Sequence, residues 1–345
     1  MRKVRLGGTG LWVTEVSFGA LPIQRITMEE AKKLLRAAYD GGINYFDTAN
    51  AYTDSEEKIG AALSDVRDNI VISTKTMALD KPTALAHIEN SLRALKTEYI
   101  DIVQLHNPEV LPDPDDENSA YAALVEAKEK GYVRHIGITN HNYDNAIKAV
   151  ESGLYETLQY PFSYISAENE LNLPKLCASH NMGFIAMKGL CGGMLTNALA
   201  ASAFMRKYPN VVPIWGIQKL EELEEWLDVY SQDPISNDEL QAVIDKDRRE
   251  LGGEFCRACG YCLPCTVGIN IPTAARMRML LRRAPYQKFF TKEEYDNMQK
   301  INDCVDCGLC KSRCPYGLDT PRLLRTMLKD YNEFYAEKMK ELEKK

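Results

Sequence analysis

Between residues 16 and 216, short apolar runs rich in β-forming residues alternate with longer stretches of helical periodicity. The runs are VSFG (16–19), INYFD (43–47), NIVIST (69–74), YIDIVQL (99–105), HIGIT (135–139), ETLQY (156–160), FIAMK (184–188) and VVPIWG (211–216). Helical patterns follow each of them, from MEEAKKLLRAAYDGG after the first to KLEELEEWLDVY after the last. Short apolar runs bounded by turn residues read as buried parallel strands, and the 3.6-residue periodicity between them reads as covering helices. Eight β-then-α units predict an α/β fold, a closed (β/α)8 TIM barrel. An open doubly wound sheet would not need eight units, and no GxGxxG follows the first strand to support one. Ahead of the barrel, KVRLGGTGLWVTE predicts a hairpin turning at Gly8-Thr9-Gly10, suited to plug the barrel floor.

After residue 235 the alternation stops. SNDELQAVIDKDRRELGG predicts a helical connector ending at glycines. Two further helical stretches follow, TAARMRMLLRRAPYQKFFTKEEYDNMQ and the polar tail DTPRLLRTMLKDYNEFYAEKMKELEKK. The expected organisation is a barrel over 1–235, a connector over 236–250, a cysteine-rich domain over 251–330 and a polar terminal helix over 331–345.

Charge and cysteine usage divide the chain in the same way. Residues 1–235 carry 22 Lys+Arg against 32 Asp+Glu, a net of −10, whereas residues 236–345 carry 20 against 17, a net of +3. An acidic body argues against nucleic acid as a partner. Only Cys177 and Cys191 precede residue 250, and both read as packing. The other eight cysteines lie between 256 and 314. No apolar run is long enough to span a bilayer, and the N-terminus lacks a continuous apolar signal segment. A cytoplasmic protein with reduced thiols and no membrane partner is expected.

Chemistry in a (β/α)8 barrel sits where the strands end on the C-terminal face. Those positions hold Asp47, Lys75 and His106, with Tyr52 five residues past Asp47. Taken singly, each has an ordinary structural reading. Together they form an acid–base device. A phenol is a poor acid near neutral pH, and an adjacent ammonium lowers its pKa by stabilising phenolate. Asp47 would hold Lys75 charged, and His106 would donate to a carbonyl oxygen. This equipment protonates a carbonyl oxygen as hydride reaches carbon, or runs the reverse.

RKVRLGGTGLWVTEVSFGAL, GINYFDTANAY, STK, DIVQLHN, VRHIGITN and GIQKLEELEE together resemble the aldo-keto reductase superfamily, over roughly residues 1–232. The resemblance implies that Asp47, Tyr52, Lys75 and His106 are the catalytic tetrad, with Tyr52 as general acid/base. It also implies a nicotinamide cofactor on the rim: Thr139, Asn140 and Gln159 at the carboxamide, Gly19 and Ala20 through their backbone, and Gly216 and Gln218 after the last strand. Against the family pattern, Met187 stands where an aromatic usually stacks on the nicotinamide, and Lys188 where a serine is common. Glu222 occupies a position where an arginine often meets the 2′-phosphate, and Trp226 replaces a frequent asparagine near the adenine. A carboxylate there repels a phosphate dianion, so NAD(H) is expected over NADP(H). Lys188 suits a pyrophosphate or an acidic substrate.

CVDCGLCKSRCP, with Cys304, Cys307, Cys310 and Cys314 before Pro315, has the C-x2-C-x2-C-x3-C-P spacing of a bacterial [4Fe–4S] ferredoxin. Cys256, Cys259, Cys262 and Cys265 form a second group, with one spacer fewer and Thr266 where proline is usual. In two-cluster modules the fourth thiolate comes from the other motif. The expected ligand sets are Cys256, Cys259, Cys262 and Cys314 for one cluster, and Cys304, Cys307, Cys310 and Cys265 for the other. Zinc sites prefer two separated cysteine pairs, and disulfides conflict with a reducing compartment. The helical spacer between the groups points to a small α-helical ferredoxin-like domain. Arg276, Arg278, Arg282, Arg283 and Lys288 on that spacer either offset cluster charge or dock an acidic carrier resembling ferredoxin or flavodoxin.

A chain holding both parts resembles the iron–sulfur subgroup of aldo-keto reductases. The expected function is interconversion of a small-molecule carbonyl and alcohol at Tyr52, coupled to one-electron transfer through two clusters. Two readings stay open beside it: an NAD(H)-dependent reductase whose clusters only staple the fold, and a non-catalytic nucleotide- or redox-sensing scaffold. No flavin motif is recognisable, so flavin is not indicated.

Overall fold

A computed structural model describes residues 1–232, 238–251, 255–283 and 286–343. It divides into two compact units: Met1–Gly189 with Asn197–Lys246, and Leu190–Thr196 with Asp247–Lys345. The division expected at 235/236 lies outside the described residues.

In the first unit an antiparallel pair, β1 (Lys3–Arg5) and β2 (Trp12–Thr14), precedes the barrel. Eight parallel strands then close on themselves: β3 (Ser17–Gly19), β4 (Tyr45–Asp47), β5 (Val71–Thr76), β6 (Ile100–His106), β7 (Val133–Thr139), β8 (Thr157–Pro161), β9 (Gly183–Met187) and β10 (Val211–Gly216), with β10 pairing back onto β3. Covering helices run from α1 (Met28–Asp40), α2 (Ser55–Leu63) and α3 (Lys81–Leu95) to α8 (Leu220–Ser231). Their starts are set locally. Thr27 caps α1 by accepting from Glu30 N while Glu30 bonds back to Thr27 N, and Asp80 caps α3. Every residue of β4, β5 and β8 is buried, as parallel strands covered by helices on the outside require.

The hairpin plugs the barrel end at which the strands begin. Leu6, between its two strands, is fully buried, and Gly8 N donates to Asn181 O at 2.6 Å just before β9. Close approach demands glycine at Gly183, where a Cβ would lie 2.7 Å from Leu6 Cγ. A second buried fixture ties strands together near their starts. Arg67 Nη2 reaches Asp101 Oδ2 at 2.6 Å, and the same oxygen accepts Ile72 N at 2.9 Å. Both ions are paired and hydrogen-bonded, as buried charges must be.

The second unit is helical: α9 (Asp238–Leu251) leads into it, followed by α10 (Ile271–Ala274), α11 (Met277–Arg283), α12 (Lys292–Gln299), α13 (Leu309–Ser312) and α14 (Thr320–Glu343). The helical stretch expected over 273–299 is, among the described residues, divided into separate helices ending at Ala274 and beginning again at Met277 and Lys292. The boundary placed at 330/331 falls inside α14, which runs unbroken because Leu324, Met327, Leu328 and Tyr331 bury its apolar stripe. They pack with Met277, Met298 and Ile301 into the core of this unit. Among the described residues, no helix is long and apolar enough to cross a membrane.

All three tryptophans, Trp12, Trp215 and Trp226, lie in the barrel unit, so tryptophan fluorescence follows that unit alone. Leu6→Ala should destabilise it by about 2–5 kcal/mol through the cavity left under the plug. Urea unfolding read by that fluorescence should show the loss with an unchanged denaturant slope.

Candidate active site and cluster sites

Strand register brings the rim residues together. Gly19 pairs with Asp47 and Gly216, Asp47 with Ser73, Lys75 with Gln104, His106 with Thr139, and Thr139 with Gln159. Side chains two residues apart on a strand share a face, so Tyr45/Asp47, Ser73/Lys75 and Gln104/His106 stack in layers inside the barrel. The lower layer is closed by Tyr45 Oη and Ser73 Oγ at 2.9 Å.

The upper layer holds the acid–base groups. Lys75 is fully buried, and its ammonium donates to Asp47 Oδ2 and Thr48 O, each at 2.6 Å. Asp47 Oδ1 accepts from Ser73 Oγ at 2.6 Å and from Gln104 Nε2 at 3.4 Å. Burial pulls the Lys75 pKa below that of a free lysine, and the Asp47 charge opposes the shift. Its ammonium lies 5.4 Å from the Tyr52 ring centroid. The Tyr52 and His106 rings meet edge-on, centroids 5.9 Å apart. His106 Nδ1 is buried without a hydrogen-bond partner. Burial, with the charges of Lys75 and Lys188, pushes the His106 pKa down to about 3. The imidazole is therefore neutral near pH 7, and one ring nitrogen is a neutral donor.

Tyr52 sits in the loop between β4 and α2, where sequence alone does not fix a side chain. Backbone bonds hold that loop to the strand ends: Thr48 N to Ser73 O at 2.9 Å and Asn50 N to Lys75 O at 3.1 Å. Ser55 Oγ ties it to Ala20 O at 3.1 Å. The buried Lys58 ammonium joins it to the loop after β3, donating to Asp54 Oδ1 at 2.8 Å, Ile26 O at 2.8 Å and Ile23 O at 3.0 Å.

Ser73, Gln104 and Lys58 were not among the residues singled out from sequence. Strand alternation could have found the first two, which stand two residues before Lys75 and His106. Lys58 has no such signal, because its partners are backbone carbonyls about 30 residues away.

The residues assigned to a nicotinamide are distributed as follows. Ala20, Thr139, Asn140 and Gln159 are buried at the strand ends, and Ala20 N donates to Asp47 O at 2.8 Å. Gln159 Oε1 accepts Gln104 Nε2 at 2.8 Å, which links it to the Asp47 network. Met187 Sδ lies 3.7 Å from Gln159 Nε2 and 3.9 Å from Thr139 Oγ1. The Asn140 side chain is engaged by the chain itself, donating to Pro108 O at 3.0 Å and accepting Asn142 N at 2.8 Å. Lys188 takes a left-handed backbone, φ 56°, directly after β9. Gly216 ends β10, and Gln218 N donates to Glu222 Oε2 at 2.7 Å. Trp226, which replaces the family's asparagine near the adenine, is buried and stacked on Trp215 with centroids 3.8 Å apart.

In the second unit the eight cysteines surround two cavities. Cys256, Cys259, Cys262 and Cys314 line one. Cys265, Cys304, Cys307 and Cys310 line another, whose wall Cys262 also touches. Both cysteine loops bend alike: Ala258 and Gly260 follow Cys256 with φ 53° and 84°, and Asp306 and Gly308 follow Cys304 with φ 52° and 73°. Left-handed residues at alternate positions turn a backbone around a concavity lined by N–H groups, which suits an anionic cluster. Four thiols spread around each cavity have the chemistry a [4Fe–4S] cube requires.

Of the five basic residues read as either offsetting cluster charge or docking a carrier, two are engaged within their own unit, and the side chains of Arg282 and Arg283 lie outside the described residues. Arg276 donates to Pro272 O and Gly192 O, both at 2.9 Å, and its charge acts on Cys256. Arg278 pairs with Asp330. The two cysteines outside the clusters are buried, and burial pushes the Cys177 thiol up to about 12, as inert packing thiols require.

Residues 9–203 match the model of the aldo/keto reductase family, and residues 255–319 match that of a 4Fe-4S dicluster domain. The chain is 30% identical over 219 residues to aldo-keto reductase YhdN of Bacillus subtilis, covering 58% of this chain and 65% of that protein. It is 35% identical over 225 residues to a probable voltage-gated potassium channel subunit beta of Oryza sativa, covering 58% of this chain and 67% of that one. The chain thus spans about two thirds of the length of these relatives. In fold, it superposes on the holo form of aldo-keto reductase AKR11C1 from Bacillus halodurans with a TM-score of 0.63 at 21% identity, covering 72% of this chain and 96% of that one. A Klebsiella pneumoniae aldo-keto reductase in complex with NADPH superposes with a TM-score of 0.62 at 22% identity, covering 72% and 95%. The family match extends over more than half of the chain and over the strands that carry the buried lysine and aspartate. This protein belongs to the aldo/keto reductase family and bears a 4Fe-4S dicluster domain on the same polypeptide.

Proposed function

We propose that the protein interconverts a small-molecule carbonyl and its alcohol at Tyr52, and that two [4Fe–4S] clusters in the second unit relay single electrons to or from a carrier protein. The observation that carries the first half is the buried Lys75–Asp47 pair beside Tyr52 and a neutral His106. A bound nicotinamide would supply or accept the hydride. In the reducing direction Tyr52 Oη gives its proton to the carbonyl oxygen, and the Lys75 ammonium stabilises the phenolate left behind. His106, neutral and edge-on to Tyr52, donates a hydrogen bond to the same oxygen and orients the carbonyl. Asp47, held by Ser73 and Gln104, keeps Lys75 charged and in place.

NADH is the favoured cofactor on the strength of Glu222. Its carboxylate accepts Gln218 N and Lys219 N at 2.7 and 3.2 Å, so the start of α8 already holds an anion of its own. A 2′-phosphate brought there would meet that charge. The cluster half rests on two thiol-lined cavities, four expected ligands to each. Such clusters, when bound, exchange one electron at a time, so two transfers match one hydride.

Tyr52→Phe should lower kcat by about 10²–10⁴-fold with little change in KM. In wild type, reduction should fall as pH rises through the Tyr52 pKa, since the phenol must be protonated. Lys75→Met should move that limb to higher pH. No limb from His106 should appear between about pH 5 and 8, because its pKa lies near 3. An unimpaired Tyr52→Phe enzyme would sink the assignment. Glu222→Gln should tighten NADPH binding roughly fivefold and leave NADH unaffected, read by fluorescence titration.

The relay is tested on anaerobically purified protein by adding NADH and then dithionite while recording the visible spectrum. Bleaching of a broad brown band by NADH supports the coupling. Bleaching by dithionite alone separates the clusters from nicotinamide electrons. Cluster loss that leaves turnover per folded barrel unchanged would favour the purely structural role.

A further inference from the structure

The residues lining the two thiol-lined cavities differ in exposure. None of those around the Cys256 cavity is exposed, and Cys256 itself is buried. The Cys304 cavity has exposed residues on one wall. Cys307 is exposed there, with Val305 65% exposed and Leu309 39% exposed beside it. Isolated exposed apolar residues need no explanation, but two of them flanking one exposed thiol on the same cavity wall form a patch.

The segment that carries this wall has a net charge of opposite sign to that of residues 1–235. From residue 300 to 325 there are five basic residues, Lys300, Lys311, Arg313, Arg322 and Arg325, against Asp303, Asp306 and Asp319. Two of the acids are compensated: Asp319 by Lys311 at 3.0 Å, and Asp306 by Arg325. The Arg313 charge acts on Cys307 itself. Residues 1–235 carry a net −10. An acidic partner would be repelled by that body and drawn to this segment. An apolar centre with a charged rim is also the anatomy of a transient protein interface.

We propose that the exposed wall formed by Val305, Cys307 and Leu309 is the docking surface for a small acidic one-electron carrier protein. The inference rests on the relay reading above and moves the docking site away from the Arg276 helix. One electron passes from the reduced carrier to the cluster held by Cys304, Cys307, Cys310 and Cys265. The carrier is oxidised by one electron, the cluster is reduced by one, and no bond or proton moves. Electron tunnelling weakens steeply with distance, so the exposed thiolate edge is where a carrier's own cofactor can come close.

The test mixes the cluster-loaded full chain with chemically reduced flavodoxin in a stopped-flow spectrometer and follows cluster bleaching. The wild-type second-order rate should fall as salt rises, because opposite charges steer the encounter. Val305→Glu, and separately Lys311→Glu with Arg313→Glu, should slow it about tenfold. Lys288→Glu, on the spacer before α12, should not slow it. Dithionite bleaching and cluster potentials, measured by EPR-monitored titration, should be unchanged in Val305→Glu, which shows that its clusters are intact. Variants as fast as wild type would overturn the docking surface and leave the relay standing. A rate lost only in Lys288→Glu would put docking on the spacer instead. If flavodoxin fails to reduce wild type while dithionite succeeds, the carrier relay falls, and the surface with it.

Discussion

A lysine with no exposure to water organises this barrel. The Lys75 ammonium can remain charged in that position only because Asp47 and the Thr48 carbonyl each stand 2.6 Å away. Burying an ion pair is costly, and removing either partner leaves an uncompensated charge that costs about 3–5 kcal/mol. The neighbouring elements follow from that constraint. Ser73 and Gln104 must face inward to satisfy Asp47, and the Thr48 turn must fold back over β5. The Tyr52 loop is bonded to the same strand ends. The pair that is expensive to bury thus stands beside Tyr52, the residue proposed to exchange the proton.

The second unit solves a different problem. A helical core of Met277, Met298, Ile301, Leu324, Met327 and Tyr331 is small, and domains of this size commonly need staples. Two clusters on eight thiolates would supply them, so a structural contribution and electron transfer are compatible. The lining residues differ between the cavities. None around the Cys256 cavity is exposed, and the Arg276 charge acts on Cys256. At the other, Cys307 is exposed. A relay needs one such exposed end.

Much of this was legible in the chain. Eight strand–helix repeats, the order of Asp47, Tyr52, Lys75 and His106, and the three-residue cysteine spacing are local patterns. Local patterns survive translation into structure because strand alternation, helix periodicity and loop ligation act over a few residues. Barrel closure follows from the repeat count: the last strand, β10, pairs with β9 on one side and with the first barrel strand, β3, on the other.

Other features depended on residues far apart in sequence. Trp226 looks like a cofactor neighbour by position, yet stacking on Trp215 takes it into the core. Arg276 and Arg278 look like a basic docking face, yet folding brings them to Gly192 and Asp330. Lys58 looks like a surface charge on α2, yet three acceptors from two loops draw it inside. Sequence by itself determined which elements form and which residue types stand at the strand ends and cysteine loops, because those depend on periodicity and spacing. Tertiary structure alone decided which charges are spent internally and which thiol faces solvent, because desolvation and pairing depend on what the rest of the chain places within a few ångströms.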